Sequence, residues 1–284
     1  ACRHDRKQPR QNLPVAAPRR DYATTVHAIG DMVARLEQMA SAHGTVGIGM
    51  PGSISPASGL VQNANSTWLN GQPFARDVEA HLGRPVRLAN DANCFALSEA
   101  ADGAAVGAAS VFGVILGTGC GGGLVFNGRL IDGPRSIGGE WGHNPLPWAA
   151  SDEHPGPRCW CGRNGCMETW VSGSGLEADH ARFTGLQIAS EEIADRAGRG
   201  DAQAKASLDR HASRLARGLA HVVNIFDPHI IVLGGGLSQL PHLYAVLPDR
   251  MAPYVFAERT QITVKPPRWG DASGVRGAAR LWEP

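Results

Sequence analysis

The 284-residue chain has 43% hydrophobic residues, 19% charged residues and a net charge of +1, the composition of a globular rather than a disordered protein. The small net charge gives no electrostatic reason to expect a nucleic-acid or membrane partner. There is no membrane-length apolar run and no signal peptide at the start. We therefore expect a cytoplasmic protein whose clustered cysteines are metal ligands or catalytic thiols rather than disulfides.

The amino-terminal part of the chain predicts a tail, a helix and a strand. Residues 1–12 are basic and polar and have no periodicity, which is typical of a tail. A helix is predicted from Asp21, because apolar side chains then recur at three- and four-residue spacing and an aspartate can cap the start. Residues 45–52 form an apolar run that closes on Pro-Gly, which predicts a buried strand leading into a loop.

A second strand is predicted within residues 84–93 and ends in the polar sequence Asn-Asp-Ala-Asn. A carboxylate at such a strand end can accept a proton from a substrate hydroxyl, and this is the position of Asp91. Asn90 can hydrogen-bond a neighbouring hydroxyl. The simpler alternative is that Asp91 only caps the next helix, which we expect from Cys94 to Ala105.

Residues 109–131 carry the strongest β signal, with two β-rich runs around the glycine loop 117–123. Three of the glycines match G-x-G-x-x-G, but that fingerprint needs a helix after it. Here the next run predicts a strand with an Asn127-Gly128 turn, so a dinucleotide-binding fold is disfavoured. Successive N–H groups of a glycine hairpin can still converge on a phosphate, although an ordinary tight turn is an alternative.

The carboxyl-terminal half alternates helices with one more strand. Helical periodicity dominates from about 175 to 226, and a last helix is predicted from Ala272 to Trp282. Between them, a strand within 229–239 ends in Gly234-Gly235-Gly236 and precedes a helix. Such a turn lets a phosphate or a flat ring approach the backbone, although a plain glycine-rich turn has the same sequence. Alternating strands and helices indicate an α/β protein.

The loop-like segment 132–170 contains the sequence GGEWGHNPLPW. Its Glu140 and His143 lie near two tryptophans, Trp141 and Trp148. A carboxylate accepts hydrogen bonds from vicinal hydroxyls, so the group suits a polyhydroxylated ligand. A structural ion pair or a core histidine is the alternative.

Three of the six cysteines, Cys159, Cys161 and Cys166, fall within eight positions of the same segment. Three thiolates and one further ligand make a closed tetrahedral Zn²⁺ site, and His143 or His154 can be the fourth. The C-x-C spacing differs from the C-x-x-C of redox pairs. We therefore predict a structural zinc site, with three unrelated buried thiols as the alternative.

Together these motifs resemble the ROK family of bacterial sugar kinases and repressors over about residues 13–284. The matching stretches are Glu140-x-Gly-His143, Cys159-x-Cys161-Gly162-x-x-Gly165-Cys166-x-Glu168, NDAN at 90–93, GTGCGG at 117–122 and VLGGG at 232–236. Residues 51–74 and 139–148 resemble the fructokinase/mannokinase-like branch.

The resemblance implies an α/β fold of the two-lobed actin/hexokinase-like (ribonuclease H-like) ATPase class, with a zinc-binding loop. A small lobe would comprise residues 1–105, with the C-terminal helix at about 272–284 packed on it. A large lobe at 106–271 would hold the zinc loop and the nucleotide-binding glycine loops.

The resemblance also implies roles for individual residues, with ATP, Mg²⁺ and structural Zn²⁺ as cofactors. Asp91 would be the general base. The residues implied to contact the sugar are Gly52, Ser53, Asn65, Asn90, Glu140, His143 and Glu168. Those implied to bind ATP are Gly117, Thr118 and Gly119 at the phosphates and Gly234, Gly235 and Gly236 at the adenosine. Those implied to hold zinc are His143, Cys159, Cys161 and Cys166, with His154 as a rival to His143.

The amino terminus departs from this family pattern. Family kinases open with a strand and a D-x-G-G-T loop, whereas here Asp5 is followed by Arg-Lys-Gln. Either the chain is truncated or mis-started, or the protein has lost most of its kinase activity.

We therefore expect a homodimeric, ATP-dependent hexose kinase acting on fructose or mannose. The first alternative is a relic that binds sugar without competent ATP binding. A family repressor is least favoured, because a twelve-residue tail cannot form a helix-turn-helix.

Overall fold

The computed structural model describes residues 21–282, whose strands form two parallel or mixed sheets and one short hairpin. The strands are β1 (Val46–Met50), β2 (Ser53–Ile54), β3 (Val61–Gln62), β4 (Val86–Asn90), β5 (Ser110–Leu116), β6 (Cys120–Phe126), β7 (Arg129–Leu130), β8 (Ile230–Gly234) and β9 (Val264–Lys265). The helices are α1 (Tyr22–Ala40), α2 (Phe74–Leu82), α3 (Asp91–Asp102), α4 (Glu168–Val171), α5 (Gly173–Thr184), α6 (Ser190–Gly198), α7 (Ala202–Phe226), α8 (Pro241–Met251) and α9 (Ser273–Arg280).

The first lobe is built on the parallel pair β1 and β4, beside the antiparallel hairpin β2–β3. Asp21 caps α1 as predicted, because its carboxylate accepts the backbone N–H of Thr24 at 3.0 Å. Helix α9 returns from the far end of the chain to this lobe. There the indole of Trp282 donates to the carbonyl of Val46 at 2.8 Å.

The second lobe contains a five-stranded sheet in the order β7-β6-β5-β8-β9. Strands β5 and β6 are antiparallel, which confirms that a hairpin rather than a strand–helix unit surrounds the first glycine loop. Asn127 and Gly128 both have positive φ, at 48° and 76°, as the predicted tight turn requires. The 25-residue α7 packs its apolar face, including Leu215 and Leu219, into the core of this lobe.

Two helix starts differ from the sequence-based predictions. Helix α3 begins at Asp91, not at Cys94, because Asn90 supplies the cap. The Gly234–Gly236 turn does not open an α-helix. A 3₁₀ turn at Gly236–Gln239 follows it, and α8 begins only at Pro241, where a proline fits the first turn.

The predicted basic tail, and with it the altered phosphate loop around Asp5, lies outside the described residues. Within residues 21–282, no helix combines the length and apolarity that crossing a membrane requires.

Candidate functional site

The site is centred where β4 ends and α3 begins. Asn90 accepts the backbone N–H of Ala92 on its Oδ1 at 2.9 Å and donates its Nδ2 to the carbonyl of Gly52 at 3.2 Å. Its amide is therefore fixed from both sides. Asp91 also accepts the Ala92 N–H, at 2.8 Å. Because Asn90 already caps the helix, capping does not require Asp91. The second carboxylate oxygen of Asp91 can accept other hydrogen bonds.

The β2–β3 hairpin lies beside β4 and Asn90. Gly52 has a φ of +68° and lies against the backbone of Gln62 and Ala64, so a side chain would not fit there. Ser53 Oγ accepts from Gln62 Nε2 at 3.1 Å, and the same amide donates to the carbonyl of Arg135 at 2.9 Å. This amide joins the hairpin to the loop that leads to Glu140. Asn65 follows Ala64 and is exposed.

The carboxylates of Asp91 and Glu168 both lie near that of Glu140. Desolvation raises the pKa of Asp91, although the residue retains solvent access. Desolvation also raises the pKa of Glu140, against the opposing effect of His143, and the nearby negative charges of Asp91 and Glu168 raise it further. Sequence-distant residues predicted to contact one ligand are thus close enough to interact electrostatically.

Glu168, at the start of α4, is held by two N–H donors. Its Oε2 accepts the backbone N–H of Cys120 at 3.0 Å, and its Oε1 accepts the indole N–H of Trp160 at 2.7 Å. No role for Trp160 was predicted from the sequence. Its place between two predicted zinc ligands could have drawn attention to it. Its hydrogen-bond partner Glu168, however, lies eight positions away, and only the folded loop brings the two together.

Trp141 and Trp148, the two tryptophans of the GGEWGHNPLPW sequence, pack away from the carboxylates. Trp141 is buried, donates its indole N–H to the carbonyl of Gly121 at 3.1 Å and packs edge-on against Phe112. Trp148 is exposed and packs against Tyr254 and His221.

The candidate metal centre is formed by the four residues implied by the resemblance. The nearest ligand atoms of His143, Cys159, Cys161 and Cys166 all lie within 4.8 Å of one another. Two of the separations are 3.6 Å, from Cys161 Sγ to Cys166 Sγ and from Cys159 Sγ to His143 Nδ1. The sulfurs are too far apart for a disulfide, whose S–S bond is about 2 Å.

These separations fit a tetrahedral zinc ion. Ligands about 2.3 Å from zinc for sulfur and about 2.0 Å for nitrogen stand roughly 3.5–3.8 Å apart at tetrahedral angles. Gly162 and Gly165, with φ of +92° and +67°, allow the chain reversals that bring the thiols together. The rival ligand His154 is exposed and does not belong to this group of donor atoms.

A cavity of about 310 Å³ opens beside the first glycine loop. Of the six predicted nucleotide-binding residues, Gly117, Thr118 and Gly236 line it. Lining residues that sequence reasoning missed are Leu116, Gly173, Ser174, Glu177, Ser190, Glu191 and Leu237. They come from helices and turns far apart in the chain, and no local motif marks them.

The other three predicted nucleotide-binding glycines have different surroundings. A Cβ on Gly119 would lie 2.7 Å from Glu168 Oε2, so this glycine faces the carboxylates. Gly234 is packed against the ring of Phe95. Gly235 forms the turn, with a φ of +78°.

Comparison with known proteins gives consistent matches over almost the whole chain. A model described as the ROK family matches residues 3–284. An N-acetyl-D-glucosamine kinase from Yersinia enterocolitica is 39% identical over 271 residues, which cover 94% of this chain and 89% of that protein. The enzyme of the same description from Pasteurella multocida is 36% identical over 284 residues, covering 98% of this chain and 93% of that protein.

Solved structures match as well. A ROK hexokinase from Thermus thermophilus has a TM-score of 0.81 and 32% identity, covering 93% of this chain and 87% of that one. A ROK family glucokinase from Streptomyces griseus, in complex with glucose and AMPPNP, has a TM-score of 0.74 and 29% identity, covering 94% and 89%.

These matches correct one expectation from the sequence. The similar curated proteins are N-acetyl-D-glucosamine kinases, so the assignment to the fructokinase/mannokinase-like branch is not supported. They also give no support to the idea of an inactive relic.

Proposed function

The chain belongs to the ROK family of sugar kinases, with an actin/hexokinase-like α/β fold, and we propose that it transfers the γ-phosphoryl group of ATP to N-acetyl-D-glucosamine. Two N-acetyl-D-glucosamine kinases with 36% and 39% identity over nearly the whole chain support this choice of sugar. A homodimer and a cytoplasmic location stay predictions.

The observation that carries the proposal is the position of Asp91. Its carboxyl stands at the start of α3, close enough to Glu140 for the two charges to interact, and β6 passes the same helix end. A Cβ placed on Gly121 of that strand would lie 3.1 Å from the methyl group of Ala92. The proposed base, the proposed hydroxyl acceptor Glu140 and the proposed phosphate loop therefore all lie near the start of α3, which supports the proposal.

In this proposal Asp91 takes the proton from the attacking sugar hydroxyl. Desolvation raises its pKa, which makes it a stronger base than an ordinary aspartate once it is ionised. Asn90, Glu140, His143 and Glu168 orient the sugar by hydrogen bonds, with Gly52, Ser53 and Asn65 at the edge of the cleft. Positioning of this kind is most of what phosphoryl transfer requires from a protein.

The nucleotide would occupy the cavity beside the glycine hairpin. The N–H of Gly117 donates to the carbonyl of Gly119 at 3.0 Å, so Gly117 would shape the turn while the N–H groups of Thr118 and Gly119 would meet the phosphates. The Gly234–Gly236 turn would meet the adenosine. Mg²⁺ carried with ATP neutralises charge on the phosphates when bound.

Zinc would be held by His143, Cys159, Cys161 and Cys166, with a structural role. Four protein ligands leave no open position for a catalytic water. In that arrangement the loop fixes His143 through one ring nitrogen and leaves the other directed to the sugar.

The proposal is tested by Asp91→Asn. We expect kcat for N-acetyl-D-glucosamine to fall about 10²- to 10⁴-fold, the usual contribution of a general base. Sugar binding measured by calorimetry should be largely retained, because Asn90 and the two glutamates remain. A variant that keeps wild-type turnover would remove Asp91 as the base.

A further inference from the structure

Trp160 is a large aromatic residue that the packing of the core does not explain. It lies between the candidate zinc ligands Cys159 and Cys161, and 54% of its surface is exposed. Its indole N–H nevertheless donates to Glu168 Oε1 at 2.7 Å, a short hydrogen bond to a charged acceptor. Its ring also meets His143 edge-on, with 5.0 Å between ring centroids.

The partner of this bond is tethered from the opposite side as well. Glu168 Oε2 accepts the N–H of Cys120, which is the first residue of β6 and lies within the glycine loop 117–123. The carboxylate thus connects the β5–β6 hairpin to the loop of residues 144–167, which we call the cysteine loop. Each carboxylate oxygen can accept more than one hydrogen, so both donors leave acceptor capacity for ligand hydroxyls.

We propose that Trp160 is a positioning residue, whose indole N–H fixes the carboxylate of Glu168 in the orientation that receives the sugar. This inference rests on the proposed function, in which Glu168 contacts the sugar. Without the indole, the N–H of Cys120 is the remaining donor to this carboxylate among residues 21–282, so the carboxylate gains rotational freedom. The sugar must then restrict that motion on binding, which weakens its affinity.

The bond also gives the cysteine loop a second connection to the cleft. His143 is a candidate metal ligand and sugar contact in one residue. Trp160 is flanked by two candidate ligands, so the position of its backbone depends on the same loop closure. Fixing the thiols therefore directs the indole as well as the imidazole.

The first test measures the bond without reference to catalysis. In a spectrum of isotope-labelled tryptophan indoles, Trp160→Phe identifies the Trp160 N–H signal. Glu168→Gln replaces the charged acceptor by a neutral one, so this signal should shift upfield and exchange faster with solvent. The Trp148 signal should not move, because Trp148 is comparably exposed but packs against Tyr254 and His221. An unchanged Trp160 signal in Glu168→Gln would overturn the inference.

The second test separates a positioning role from a structural one. We expect Trp160→Phe to raise KM for N-acetyl-D-glucosamine about tenfold, with kcat, KM for ATP and bound zinc close to wild type. Trp148→Phe, the matched control, should keep all four values. Adding Trp160→Phe to Glu168→Gln should raise KM little further, because the bond is already weakened.

The outcomes are distinguishable from failure of the proposed function. Wild-type sugar KM in Trp160→Phe, or the same rise in Trp148→Phe, would contradict the positioning role. If the wild-type protein does not phosphorylate the sugar, the proposed function fails, and the indole spectrum still decides whether Trp160 holds Glu168.

Discussion

At Asp91, the proposed catalytic base, the requirements of catalysis and of a stable fold conflict. Desolvation raises its pKa, so the folded protein binds this proton more tightly than the unfolded chain does. Ionising Asp91 in the folded state therefore costs free energy. The free energy of unfolding should fall as the pH rises from the ordinary aspartate range through the raised pKa.

This linkage predicts that Asp91→Asn, the variant expected to lose most of its turnover, stabilises the protein. Thermal unfolding at neutral pH should give a higher Tm for the variant, because the cost of a desolvated charge is removed. The difference should shrink as the pH is lowered towards the ordinary aspartate pKa. Asp31→Asn, on the exposed surface of α1, is the control and should leave Tm nearly unchanged. A lower Tm for Asp91→Asn at neutral pH would contradict this account.

Individual site residues were predictable to different degrees. Asn90 and Asp91 stand at a strand end, and their proximity to Gly52 follows once β1 and β4 pair in parallel. The contact of Trp160 with Glu168 was not predictable, because it depends on how a loop without periodicity closes on itself. The position of Glu177 and Ser190 in the lining of the cavity was not predictable either, because their helices α5 and α6 meet only in the folded protein.

Buried ion pairs anchor the cysteine loop to helix α7. Glu153 accepts hydrogen bonds from Arg214 and Arg217 of α7 at 2.7 to 2.8 Å. Burial opposes ionisation of this carboxyl, but the two guanidinium groups outweigh it and lower its pKa to about 2. The anchor is therefore charged at all pH values above the acid range, and it uses none of the candidate metal ligands.

Loss of a single thiol should test whether the loop acts as one unit. We predict that Cys161→Ser loses bound zinc and weakens sugar binding together, because the tetrahedral set is broken and both His143 and Trp160 are released. Zinc content by elemental analysis and sugar binding by calorimetry measure the two effects. Cys94→Ala, a buried cysteine of α3 away from the cluster, should retain both. Unchanged zinc content in Cys161→Ser would refute the ligand assignment.

The bounds of helices and strands were predictable where the signals lie within a few neighbouring residues. The capped α1, the β5–β6 hairpin and the Asn127-Gly128 turn were predicted because their periodicity and turn residues are local. The start of α8 was not, because a 3₁₀ turn and Pro241 displaced the helix from the glycine triplet. The sheet order β7-β6-β5-β8-β9 depends on contacts across most of the chain, and only the family resemblance indicated such a fold.

The buried carboxylate of Glu99 links segments that are far apart in the chain. They lie near the two points where we propose that the chain passes from one lobe to the other. Glu99, at the end of α3, accepts the N–H of Ala104 at 2.7 Å and that of Arg268 at 3.0 Å, and the hydroxyl of Ser273 at 2.6 Å. It is fully buried. The lobe boundaries near 105 and 271 stay predictions.

We predict that Glu99→Ala lowers the free energy of unfolding by about 3 kcal/mol or more, because several buried donors lose their acceptor. Denaturant titration measures the loss. Ser273→Ala removes only one of these donors and should cost about 1 kcal/mol. Equal, small losses in both variants would show that Glu99 does not hold the crossings together.

The central claim, a kinase for N-acetyl-D-glucosamine, is tested most directly by ADP formation in a coupled assay with MgATP. The sugars compared are N-acetyl-D-glucosamine, glucose, mannose and fructose, with Asp91→Asn as the inactive reference. The account predicts that kcat/KM for N-acetyl-D-glucosamine exceeds that for each other sugar at least about tenfold, roughly 1.4 kcal/mol of transition-state discrimination. Higher kcat/KM for fructose or mannose, or sugar binding without any turnover, would contradict it.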